Sequence, residues 1–339
     1  MSWGRSGTKK GETLQRWDND DWDLSSSVGV TATMTAAARA AATNAPGAII
    51  NDYLAEPLVR AVGIDFFTRW AARQLPSESD DAGLGWQPMT NALAVRTRYF
   101  DDFLLDACAA GIRQVVLLAS GLDTRGYRLA LPEDTMLFDI DQPRVVAFKD
   151  ATLSGLGVVT SIQIRYVGID LRKAWDASLR QAGFNGAQPT AWVAEGLLAY
   201  LPSGAQDRLL DTITALSANG SRLAAEVFRV RNMTALSDTA ANVGTAVFVD
   251  VDDTASEQVR YRARHIAEQW QSFGLNIDMK GLAYQDDRSD LAGYLRRQGW
   301  TSTTASMSDL FAASGLTLRG DQRSGDAFAD NYLCTSFRP

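Results

Sequence analysis

Gln114 to Arg125 reads Q-V-V-L-L-A-S-G-L-D-T-R, and no other stretch narrows the folding options of this chain as much. Val115 to Ala119 is an unbroken, partly β-branched apolar run, the pattern of a strand buried on both faces inside a parallel sheet. It passes into Ser120-Gly121, where a residue without a Cβ lets backbone approach a ligand closely. A helix is expected to start near Thr124. Strand, glycine turn and helix N-terminus form the nucleotide-binding corner of a doubly wound α/β domain. Such a domain carries an acidic residue about 20 positions on, at the tip of its second strand, to take ribose hydroxyls. Thr135 to Asp141 reads T-M-L-F-D-I-D, which puts Asp141 at that spacing from Gly121. Asp139, two residues earlier, points the same way along the pleat and is the alternative ligand.

Strand and helix patterns then alternate. A third strand is expected over Ile162 to Gly168, followed by Asp170-Leu171, a fourth over Ala191 to Gly196 and a fifth over Arg222 to Phe228. Pro143 opens the helix after the second strand, and Ser203 with Gln206 has the spacing of a capping box. Asn331 to Arg338 (N-Y-L-C-T-S-F-R) alternates as a final strand. Ahead of the first strand, three helical zones are expected: Val30 to Ala42, a stretch after Pro57 holding Phe66, Phe67 and Trp70, and Thr90 to Ala110. The organisation expected is one domain over residues 25–339 behind a loose arm, 1–24. Within it lie a helical cover (25–112), a ligand-binding core (113–228), an insertion or substrate cap (229–300) and C-terminal strands (301–339). Repeated alternation argues for a mostly parallel sheet, expected here with seven strands, and helices on both faces.

Composition removes several classes of function. A net charge of −7 with no run of Lys and Arg argues against a nucleic-acid partner. No segment has 18 consecutive apolar residues and the first residues lack the apolar stretch of a leader, so no membrane association is expected. Two distant cysteines, Cys108 and Cys334, both in apolar surroundings, suit a reduced, cytoplasmic protein. The sole histidine, His265, lies on a late amphipathic pattern (Val259, Ile266, Trp270, Phe273), so no His–Cys metal site is expected. The full G-x-G-x-x-G is absent, as are a P-loop and a G-x-S-x-G elbow.

Four strand ends remain in register: Gly121, Asp141, Asp170 and Glu195. Glu195 sits in an apolar context, A-W-V-A-E-G-L-L-A-Y-L, and a carboxylate there must be paired, solvated through a cleft, or functional. An adenosine-containing cofactor without phosphates fits this set best, which describes S-adenosyl-L-methionine. Asp141 would take its ribose, Asp170 with Leu171 its adenine, and the Ala119-Ser120-Gly121 turn its amino-acid moiety.

The same residues resemble a known family. V-R-T-R-Y-F-D-D-F-L (from Val95), Q-V-V-L-L-A-S-G-L-D-T-R-G-Y-R-L (from Gln114), F-D-I-D-Q-P (from Phe138) and A-E-G-L-L-A-Y-L (from Ala194) are similar to the leucine carboxyl methyltransferase-like group. Within it they resemble the actinobacterial S-adenosylmethionine-dependent methyltransferases. S-S-S-V-G-V-T-A and N-D-Y-L-A-E-P-L-V-R-A-V-G match as well, so the resemblance is strong over residues 20–205 and looser beyond. It implies a class I methyltransferase (Rossmann-like) fold with Asp141, Asp170 and Leu171 as cofactor ligands and Gly121 and Glu195 lining the same pocket. By the same resemblance either Arg96 or Arg98 meets the methionine carboxylate. Methyl transfer from a sulfonium needs positioning and exclusion of water. A carboxylate acceptor on a small molecule or peptide is already ionised and needs no base, whereas a hydroxyl or amine usually does. Glu195, Asp170 and Tyr200 are the candidates for such a base. Two alternatives differ in class: a regulatory module that holds the cofactor without turnover, and a nicotinamide-dependent oxidoreductase. The missing third glycine and the second acid at Asp170 weigh against the latter.

Overall fold

The computed structural model describes residues 27–75, 86–227, 283–284, 286–316 and 331–339. The arm over 1–24, the amphipathic pattern around Val259 to Phe273 and His265 lie outside the described residues. Among the described residues four helices, not three, precede the first strand: α1 (Ser27–Thr43), α2 (Ala55–Val62), α3 (Asp65–Ala71) and α4 (Trp86–Ala109). The stretch expected as one helix after Pro57 is split because Gly63 adopts a left-handed φ of 84° and closes α2. α1 is rich in alanine, and its small buried side chains let α2, α3 and α4 pack closely against it. Phe66, Phe67 and Trp70 of α3 fill that helical layer as one aromatic cluster.

The core follows as β1 (Gln114–Leu118), a short α5 (Arg125–Arg128), β2 (Met136–Asp141), α6 (Pro143–Gly155), β3 (Gln163–Gly168) and α7 (Trp175–Gln181). Then come β4 (Thr190–Ala194), a 3₁₀ turn (Leu198–Tyr200), α8 (Ser203–Leu216) and β5 (Arg222–Val227). Beyond the next described residues lie α9 (Leu291–Arg297), β6 (Thr301–Ser306), α10 (Met307–Ala313) and β7 (Tyr332–Phe337). Every residue of β1 is buried, as its unbroken apolar run requires. The capping box expected at Ser203 and Gln206 does not form. Pro202 occupies the cap, the Ser203 backbone amide donates to Asp286, and the Gln206 side-chain Nε2 donates to the Ser289 carbonyl. Asp286 thereby takes the Ser203 amide that Gln206 would have taken in a local box, and Gln206 turns to Ser289 instead.

The strands form one seven-stranded sheet in the order β3-β2-β1-β4-β5-β7-β6. β1 to β5 run parallel, and β7 runs antiparallel to both neighbours. Both edge strands are partly polar and exposed, which suits strands paired on one side only. Because β1 lies between β2 and β4, the direction of winding reverses beside it, and in such sheets ligands bind outside the carboxyl ends at that reversal. Among the described residues no helix is long and apolar enough to cross a membrane.

Candidate active site

The carboxyl ends of β1, β2, β4 and β5 open into one crevice whose other walls are α1, α4, Met307 and residues 331–333. At the tip of β1 the chain turns through two left-handed residues, Ala119 (φ 51°) and Gly121 (φ 52°). A Cβ on Gly121 would lie 2.9 Å from the Cβ of Ala32, so α1 presses directly on this turn. The Gly121 amide donates to Asp141 Oδ2 at 2.6 Å, and the Gln142 amide donates to Oδ1 at 2.6 Å. Asp141 is buried yet lines the crevice. Burial raises its carboxyl to about 6, against the opposing pull of those two amides.

Asp139, the alternative ligand, is turned elsewhere: it pairs with Lys149 at 2.6 Å, accepts the Ser120 hydroxyl, and does not line the crevice. Ala119, Ser120, Gly121, Asp141, Glu195 and Tyr200 all line it. Asp170 and Leu171 do not. Asp170 is forked onto Arg172, and Leu171 packs on the sheet's apolar cluster. Arg96 and Arg98 are two positions apart on α4 and so face different sides. Arg96 lines the crevice, whereas Arg98 has a side chain 46% exposed and pairs with Asp102 at 3.6 Å, over a separate groove.

Behind the crevice runs a continuous set of ion pairs. Arg96 binds Glu195 (2.9 Å) and Glu226 (3.2 Å). Arg125 joins Glu195 (2.7 Å), Asp101 (2.6 Å) and Asp123. Arg128 joins Asp101 (2.7 Å) and approaches Asp52, which also holds Arg39 (2.7 Å). Burial works to raise the Glu195 carboxyl, but Arg125, Arg96 and Arg39 overcome it and hold it at about 2. Glu226, facing one arginine and a second acid, is instead raised, chiefly by burial. Burial also raises the Tyr200 phenol above its ordinary value. Arg39, Arg125 and Glu226 were not among the sequence candidates. Glu226 carries the signal that singled out Glu195, an acid in an otherwise apolar strand end (R-L-A-A-E-V), and Arg125 sits in the D-T-R of the central motif.

The donor set suits adenosine joined to an amino acid. Asp141 keeps lone pairs for ribose hydroxyls after taking two amides. Arg96 keeps Nη2 without a partner among the described residues, a donor available to a carboxylate. Lys149, which reaches the turn, is spent on Asp139 and Ser120, which leaves it unavailable to a diphosphate.

A sheet of this order with its last strand reversed, and an acid gripping the glycine turn at the switch point, defines a class I methyltransferase fold. The chain belongs to the leucine carboxyl methyltransferase family, whose pattern matches residues 32–214. A protein of Mycobacterium tuberculosis is 50% identical over 303 residues, covering 89% of each chain. One from Mycolicibacterium paratuberculosis is 49% identical over 326 residues, 95% of this chain and 99% of its own. Both bear the name "Putative S-adenosyl-L-methionine-dependent methyltransferase". Among solved structures, a DUF574 family protein from Streptomyces avermitilis aligns with 91% of this chain and 97% of its own, at 12% identity and a TM-score of 0.46.

Proposed function

We propose that this chain methylates a carboxylate of a small molecule or peptide, with S-adenosyl-L-methionine held in the crevice at the ends of β1, β2, β4 and β5. Family membership makes it a methyltransferase dependent on that cofactor; the acceptor is the finer step. When bound, the cofactor supplies a methyl group on a sulfonium, an electrophile that needs no activation by the protein. Asp141 holds the ribose, the Ala119–Gly121 turn accommodates the amino-acid moiety, and Arg96 Nη2 meets its carboxylate. α1 and α4 exclude water.

The observation that carries the carboxylate reading is the state of the two side chains best placed to act as a base. Glu195 is pinned between two arginines and held at about 2, so it accepts no proton near neutrality. Tyr200 is a phenol shifted upward and stays protonated. Of the acids lining the crevice that burial raises, Asp141 is engaged with two backbone amides and Glu226 with Arg96 and the Gly196 amide. An acceptor that arrives already ionised suits such a site.

Calorimetry with S-adenosylhomocysteine tests the cofactor site: the wild type binds, and Asp141→Ala abolishes the heat without changing the circular dichroism spectrum. Transfer of labelled methyl to acceptors in a lysate tests the chemistry. A carboxyl ester releases its label as volatile methanol in mild alkali. Label that survives alkali is on oxygen of an ether, or on nitrogen, and defeats the carboxylate reading.

A further inference from the structure

We infer that Lys149 and Asp139 are positioning residues, a buried clamp that acts through the Ser120 hydroxyl to hold the Ala119–Gly121 turn in its ligand-binding shape. The inference rests on reading the crevice as the cofactor site.

Lys149, on α6, is wholly buried, and its Nζ lies 2.6 Å from Asp139 Oδ2 and 2.9 Å from Ser120 Oγ. Asp139 is 2% exposed. Stability alone does not account for this pair. Removing both charges from water is costly, and a well-packed apolar pair of similar volume commonly serves a fold as well or better. What the pair does have is a third member at the crevice. The Ser120 hydroxyl donates to Asp139 Oδ1 and accepts from Lys149, while its backbone amide donates to the Ile140 carbonyl at 3.0 Å. Ser120 is therefore fixed by both backbone and side chain.

Its two neighbours show why such fixing is needed. Ala119 and Gly121 both have left-handed φ, a region that a residue with a Cβ rarely enters. Backbone of this kind persists where its surroundings over-determine it, and it gathers at ligand clamps. The Gly121 amide is also the donor to Asp141 Oδ2. A connected path thus runs from Lys149 through Asp139 and Ser120 to Gly121 and on to the ribose ligand. Asp139 and Asp141 divide the work along one face of β2, the first setting the turn and the second meeting the ligand.

The test replaces the pair with apolar residues, Lys149→Met with Asp139→Leu, so that no buried charge is stranded. The melting temperature is expected to stay within a few degrees of wild type. Affinity for S-adenosylhomocysteine should fall by about tenfold or more, the scale of one or two lost hydrogen bonds. In turnover, KM for the methyl donor should rise while kcat holds. Ser120→Ala and Ser120→Thr provide a second arm should the double variant fold poorly: the alanine should weaken binding by a similar factor, and the threonine, which keeps the hydroxyl, should restore it. Wild-type affinity in the double variant or in Ser120→Ala overturns the clamp and leaves the cofactor reading standing. So does a loss of affinity that merely tracks a loss of melting temperature. A wild-type protein that fails to bind S-adenosylhomocysteine overturns both.

Discussion

Asp141 is asked to be ionised in a place that disfavours ions. Its carboxyl is raised to about 6, with burial the largest cause. A group whose value is raised on folding contributes stability that is complete below its unfolded value and lost as pH rises through the folded one. For Asp141 that window runs from about 4 to about 6, so the cofactor-free chain is penalised by this group at neutral pH. A ribose hydroxyl pair wants the opposite, an acceptor-only carboxylate. Affinity for S-adenosylhomocysteine should therefore be flat above about pH 6.5 and weaken by roughly tenfold per unit below about 6. Calorimetry across pH 5 to 8 checks it. Asp141→Asn, which cannot ionise, should be weak throughout and lack that slope.

At the scale of elements, the ion pairs bind α1, α4, α5, β4 and β5 to one another at the place where the ligand enters. Arg125 is their hinge: its side chain is 2% exposed, and its guanidinium serves Asp101, Asp123 and Glu195 together. Arg125→Met strips Asp123 of its cation and leaves Asp101 with Arg128 and Glu195 with Arg96, and breaking these buried pairs should cost about 3–5 kcal/mol, read from denaturant melts. Arg125→Lys should recover little, since an ammonium cannot fork to several acids at once. Glu195 adds an acid-side signature. Its value is depressed to about 2, so its contribution is present above its ordinary range near 4.5 and is lost as pH falls through about 2. The strands and the acids at their tips were legible in the sequence because they are written in short-range terms, an apolar run followed by a glycine or a carboxylate. The ion pairs were not, since Arg96 meets Glu226 across 130 residues of chain and nothing local announces such a partner. Arg96 and Arg98 look alike until the helix phase assigns each to a side. The split between α2 and α3 and the loss of the Ser203–Gln206 box were hidden for related reasons, one a single backbone dihedral and the other a competing partner far along the chain.

For the molecule as a whole, the helical layer and the sheet are two halves of one site. α1 and α4 contribute Ala32, Arg39 and Arg96 among others to the crevice, and the strand tips contribute Gly121, Asp141, Glu195 and Glu226. Ligand binding should therefore tighten the layer as well as the turn. Saturation at about 100 times Kd adds roughly 2.7 kcal/mol to stability. Hydrogen exchange should slow across α1 and α4 together with the β1–β2 turns; protection confined to the turns would contradict a shared site. The crevice is also walled by Asn331, Tyr332 and Leu333, and β7 enters the sheet between β5 and β6. A nascent chain on the ribosome thus displays α1 and the glycine turn long before the residues that complete the wall have been synthesised. Until Tyr332 emerges, β5 has no partner on that side. Capture of the cofactor then waits for β7 to join the sheet, rather than for the turn that grips the ligand.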